Sequence, residues 1–219
     1  MKKHLSISIA SILAVIAPAI TQAQLYITAD IGGVPSWSGA TLDNLDEPNP
    51  SMLSFSGPAS LTTSPSTGAP YFSGSTAAFF GETPAVGYDS SQYVVVGPGG
   101  SATLSFSTPQ NYLGLCWGSI DPYSGMNTLT FYDKANNVIG TVEGGDVISA
   151  NGSLSPGGTA YVNITSQTGF SSVVATATPI FPESFEFDDI AFAVPEPTSC
   201  ILFSAGLCLL GLVLRRKAA

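Results

Sequence analysis

The chain has 219 residues, with 15 acidic against 6 basic side chains, one histidine and a formal net charge of −9. Residues 24–193 hold every acidic residue except Glu196 and a single basic one, Lys134, so this stretch alone carries −13. It therefore has no basic patch to neutralise phosphates, which excludes nucleic-acid binding and adhesion to anionic lipid headgroups; it also lacks histidine and arginine, which excludes Ser-His-Asp or Cys-His catalysis, histidine metal sites and bidentate clamping of phosphate or carboxylate.

Residues 1–23 read as a secretory signal peptide. Met1 to His4 is a short basic segment, residues 7–16 are apolar apart from small serines, and Pro18 breaks the helix. Thr21-Gln22-Ala23 places small residues at the two positions a signal peptidase reads, so cleavage is expected between Ala23 and Gln24. An uncleaved anchor fits less well, because the apolar run is short and a cut site follows it.

Residues 24–193 are long enough for one exported domain with its own core. The stretch 46–70 is dense in Pro, Ser, Thr and Gly and is expected to be a long loop or covering segment. Beyond it, short alternating runs lie between turn signals. Residues 93–96 and 102–107, separated by Gly97-Pro98-Gly99-Gly100, predict a hairpin. Residues 111–117 form another strand. Residues 128–132 direct Leu129 and Phe131 inward, 134–137 turn, and 138–142 return. Residues 160–164, 172–176 and 185–192 complete the set. Many short strands with a turn about every ten residues predict an all-β, antiparallel β-sandwich of jelly-roll type. Cys116 is the one cysteine of the domain, so no internal disulfide forms there, and beside Trp117 it reads as a small core residue.

The last strand contains a conflict. Phe185 and Phe187 share one parity, and Ile190 and Phe192 share the other, which a period of two cannot satisfy. The slip falls at Asp188-Asp189 and predicts a β-bulge. Glu186, Asp188 and Asp189 there are candidate oxygen ligands for a structural Ca²⁺; no other cofactor is expected. A solvated acidic edge that discourages sheet-to-sheet aggregation explains the same residues.

Residues 194–219 differ from the rest. Val194-Pro195-Glu196-Pro197 is a stiff, extended peptide, because each proline fixes its own φ and restricts the residue before it. Residues 198–214 are 17 uncharged residues. As a helix they reach roughly 25 Å, at the short end for crossing a ~30 Å hydrocarbon core. Arg215, Arg216 and Lys217 follow at once and would stay on the cytoplasmic side, with the tail ending at residue 219. A buried core helix would instead show polar positions at a 3.6-residue period.

Motif, span and basic cluster, in this order, resemble the PEP-CTERM sorting signal of exosortase-dependent surface proteins. The resemblance implies an exopolysaccharide-producing Gram-negative host, exosortase and signal peptidase as processing partners, and a membrane-held precursor. The stretch YLGLCWGSIDPYSGMNTLTFYD, with YVNIT and FEFDDIAF, is similar to the exported domain of one such family over about residues 112–193. It implies a β-rich surface or matrix protein and brings no established activity.

Three functions follow for weighing. The first is a non-catalytic cell-surface or biofilm-matrix protein, first anchored in the inner membrane and then released to the surface or the extracellular matrix. The second is a carbohydrate-binding module facing exopolysaccharide, with Tyr123, Asn127 and Tyr132 near Trp117 as candidate sugar contacts. The third is a glycoside hydrolase, which needs only two carboxylates, but no pair is marked by the sequence.

Overall fold

The computed structural model describes residues 25–31, 35–45, 51–62, 92–180 and 184–194. They form ten strands: β1 (Leu25–Asp30), β2 (Thr41–Asp43), β3 (Leu53–Ser56), β4 (Ala59–Thr62), β5 (Tyr93–Val96), β6 (Ser101–Ile120), β7 (Asn127–Tyr132), β8 (Val138–Glu143), β9 (Gly158–Ala177) and β10 (Phe185–Ala193). One helix, α1 (Gly144–Asn151), lies between β8 and β9. Every pairing is antiparallel, in the order β4-β5-β10-β6-β9-β7-β8, with β1 added to β9, β2 to β10 and β3 to β6.

Two 20-residue strands, β6 and β9, are the spine, paired from Ser101 opposite Thr176 to Ile120 opposite Gly158. Each serves two sets of neighbours. The first residues of β6 pair with β3, and residues 112–118 pair with β10. Residues 161–166 of β9 pair with β1, and residues 172–177 pair with β7. The expected all-β antiparallel architecture is present as a sandwich-like fold. Because the spine runs through both halves, the strands make a single ten-stranded sheet, and not the two separate sheets of a jelly roll.

Alternation decides the core. Leu113, Leu115 and Trp117 of β6, Val162 and Ile164 of β9, and Phe185 and Phe187 of β10 join Leu129 and Phe131 of β7 and Val142 of β8 in one buried apolar cluster. Leu129 and Phe131 point inward as expected. The turn between β7 and β8 is held by Asp133. Its Oδ1 accepts the N–H groups of Ala135 and Asn137 at 2.8 Å each, and its Oδ2 accepts the Asn137 amide at 2.9 Å.

Four expectations are corrected. Residues 93–96 and 102–107 do not form a hairpin: β10 lies between β5 and β6, with Phe187 opposite Val94 on one side and Trp117 on the other. The 97–100 turn is real (Gly100 N–H donates to the Gly97 carbonyl at 2.8 Å), but partner choice was made by long-range packing. The separate strands expected at 102–107 and 111–117 are one strand, as are those at 160–164 and 172–176. The loop expected over 46–70 contains β3 and β4. Helix α1 was not foreseen. It starts where the Asp146 carboxylate accepts the Glu143 N–H at 2.9 Å, and it ends at Gly152, whose φ of 73° suits glycine and whose N–H donates to the Ile148 carbonyl.

Candidate functional site

Strand β10 carries the predicted bulge. Its register against β6 shifts between Asp188 and Ala191, and Asp189 has a φ of 49°. The slip lets Phe187 and Ile190 both enter the core. The Asp189 N–H donates to Asp188 Oδ1 at 2.7 Å, and the Asp189 carbonyl accepts the Tyr161 hydroxyl at 3.0 Å.

Opposite the core, the outer face of the sheet is also buried where β5, β10, β6 and β9 run side by side. Glu186 and Asp188 stand there beside Tyr93, Cys116 and Tyr161. Burial pushes the Cys116 thiol well up, and the charges of Asp189 and Asp188 add to it. Such a thiol holds little thiolate, in keeping with the reading of Cys116 as a packing residue. Among the described residues, no three His, Cys, Asp or Glu side chains are gathered to hold a metal ion. Glu186, Asp188 and Asp189 therefore give the Ca²⁺ expectation no support, and Asp188 Oδ1 already serves the bulge.

Further along this face, Tyr112 donates to Asn163 Oδ1 at 2.5 Å, and the Ser36 N–H reaches the same oxygen at 2.8 Å. The Trp37 ring lies 5.5 Å from that of Tyr112. Residues 35–40 thus cover β6 and β9 from outside.

The candidate sugar contacts are not brought together. Tyr123 is 66% exposed in the loop after β6. Asn127 is fully buried; its Oδ1 accepts the Asp121 N–H at 3.0 Å and its Nδ2 donates to the Ser184 carbonyl at 3.2 Å. It fastens two chain segments and, fully buried, presents no surface to a sugar. Tyr132 is half-buried at the end of β7. Trp117 is in the core.

A groove of about 580 Å³ lies elsewhere, where β2, β6, β10 and the start of β3 meet. Phe106 and Phe192 form its apolar wall, and Asp43, Gln110, Ser107 and Thr108 are among its polar residues. It exists because the spine is interrupted: Ser105 pairs with Ser172 and Gln110 with Phe170, so four residues of β6 face one of β9. Pro109, which has no N–H to give the ladder, sits in this break and was the only local signal of it. Asp43 and Gln110 lie on strands far apart in sequence, and nothing in either stretch announces that they meet.

The expected signal-cleavage residues Ala23 and Gln24, the motif residues Pro195, Glu196 and Pro197, the 198–214 span and the basic residues Arg215, Arg216 and Lys217 lie outside the described residues. Val194 is exposed at the end of β10. Among the described residues no helix is long and apolar enough to cross a membrane.

No curated protein matches the chain. In structure, the chain is similar to the K2 cleaved adhesin domain of Lys-gingipain, with a TM-score of 0.40 and 10% identity over 77% of this chain and 100% of that one. It is also similar to the Agl-KA catalytic domain, with a TM-score of 0.36 and 10% identity over 77% of this chain and 29% of that one. Residues 193–217 match the family model of the PEP-CTERM protein-sorting motif, so the chain carries the signal of an exosortase-dependent exported surface protein.

Proposed function

We propose that this is a non-catalytic cell-surface or biofilm-matrix protein of an exopolysaccharide-producing Gram-negative bacterium, matured by an exosortase. The observation that carries this reading is the sorting motif at 193–217, which takes in Pro195-Glu196-Pro197, the apolar run and the basic cluster together. The precursor is held in the inner membrane by residues 198–214, with Arg215 to Lys217 in the cytoplasm. The exosortase reads the stiff Pro-Glu-Pro peptide just outside the bilayer, and the β domain passes to the surface or matrix.

The non-catalytic part of the proposal rests on side-chain chemistry. The exported stretch has no histidine and no arginine, and its one thiol is buried with its ionisation opposed. Intact-mass analysis of the protein from its native host, with and without the exosortase, tests the reading. The wild type should lose both the signal peptide and the residues beyond the motif, and the exosortase-deficient strain should lose the signal peptide alone. Equal masses from the two strains would overturn it.

A further inference from the structure

We propose that the groove between Asp43, Phe106, Gln110 and Phe192 is a binding site for a neutral saccharide. Gln110 is only 4% exposed, and its Oε1 accepts no hydrogen bond although it is buried. Its orientation is fixed by the other half of the amide, since Nε2 donates to the Thr108 carbonyl at 2.6 Å and to Thr108 Oγ1 at 3.2 Å. Turning the amide over would set its oxygen against that carbonyl. A buried acceptor held this way calls for an incoming donor.

The rest of the lining says which donor. Phe106 and Phe192 pack with centroids 5.2 Å apart, and both are half-buried, so the pair offers an apolar wall to the C–H face of a sugar ring. Asp43 gives one oxygen to the Leu45 N–H at 2.9 Å and retains acceptor capacity for a sugar hydroxyl. Ser107 and Thr108 add hydroxyls that both donate and accept. Among the described residues no basic one lines the groove, and Asp43 repels anions, so phosphates and uronates are disfavoured. The volume falls within the ~300–1,000 Å³ of small-molecule sites. An apolar wall, several hydroxyl partners and acceptors without a cation fit a neutral pyranose better than an amine, which has no apolar ring face for the phenylalanine pair.

The proposal leans on the surface-protein reading only for where the ligand is met. Calorimetric titration of the purified full-length protein tests it, using neutral tetrasaccharides of glucose, galactose, mannose and N-acetylglucosamine, a tetra-uronate, and spermidine. At least one neutral tetrasaccharide should bind at a stoichiometry of one. Gln110→Met and Asp43→Asn should each weaken it about tenfold, the weight of one hydrogen bond. Asp43→Asn keeps an oxygen for the Leu45 N–H and so guards against a variant that simply fails to fold. Binding of no neutral sugar, binding of only the uronate or spermidine, or unchanged affinity in both folded variants would overturn the proposal. C-terminal processing does not enter this titration, so either reading can fail alone.

Discussion

Phe185 lies almost flat against Trp117, with ring centroids 4.4 Å apart and planes 23° from parallel. One ring comes from β10 and the other from β6, and Phe187 continues the row at 5.4 Å from Phe185. The stack shows why the last strand, and not the neighbour in sequence, pairs with β6. Placing β10 there buries Phe185 and Phe187 beside Trp117 of the spine, partners that a β5–β6 hairpin would not supply.

Trp117→Ala should therefore destabilise the domain by about 3–5 kcal/mol, the usual range for emptying a large aromatic site. Trp37, the other tryptophan of the chain, is only half-buried, so a Trp37→Phe background isolates the Trp117 signal. Its emission should be that of a buried indole and should shift to the red in one urea transition. A solvent-exposed spectrum in the folded protein would contradict the packing described.

Gly114 has no room for a side chain. A Cβ there would collide with the Tyr112 hydroxyl and lie 2.8 Å from that of Tyr161. Both tyrosines are buried and held by hydrogen bonds. Gly114→Ala should lower stability by about 1–3 kcal/mol, as overpacking does. Adding Tyr112→Phe should make the alanine less harmful than it is alone, and a double-mutant cycle measures that coupling.

The bulge makes its own prediction. Asp189 pays for a left-handed conformation, which costs a non-glycine residue about 1–2 kcal/mol and a β-branched one more. Asp189→Gly should leave the melting temperature unchanged or raise it, while Asp189→Val should lower it. Equal effects of the two substitutions would mean that the left-handed backbone is not the constraint.

This bulge was legible from parity alone, because strict alternation would send four apolar residues of one strand to opposite faces. The β7–β8 hairpin was legible too, through the alternation around Leu129 and Phe131 and a turn that Asp133 closes locally. What escaped was long-range. The apolar run from Tyr93 to Val96 marks a strand but cannot say that Phe187 and Phe185 lie opposite Val94 and Val96. Neither Gln110, beside Pro109, nor Asp43 carries a local mark of the groove. Only the break in the β6–β9 ladder brings them to one groove. Asn127 failed as a sugar contact for a related reason: an amide near aromatics reads alike whether it faces solvent or ties Asp121 to Ser184.

Stability should fall in alkali. Burial raises Cys116, with Asp189 and Asp188 adding, and burial also raises Tyr93 and Tyr161, with Glu186 adding for the first and Tyr112 for the second. The unfolded chain releases these protons from about pH 8.5 for the thiol and about pH 10 for the phenols. The folded chain keeps them, so above those values it binds more protons than the unfolded one and loses stability as pH rises. Melting temperature should decline from about pH 8.5 and more steeply above about 10. Cys116→Ala should flatten the first part and leave the second. A flat profile to pH 11 would show that these groups ionise freely in the folded protein.

The sorting signal should separate into two tasks. The apolar run and Arg215-Arg216-Lys217 act by hydrophobicity and charge, which a matched sequence can supply. Pro195-Glu196-Pro197 acts by backbone shape and one carboxylate, which a matched span does not reproduce. Glu196→Ala, or Pro195 and Pro197 both changed to Ala, should leave the protein exported and membrane-inserted but unprocessed. It should collect in the inner membrane at precursor size without the signal peptide. Exchanging residues 198–214 for another apolar run of the same length should be tolerated better. Changing the three basic residues to Ser should instead weaken retention, so that part of the chain crosses intact. Fractionation and sizing of each variant decide the matter. Normal maturation of the Pro-Glu-Pro variants would reduce the motif to a linker, and maturation by an exosortase would lose its recognition element.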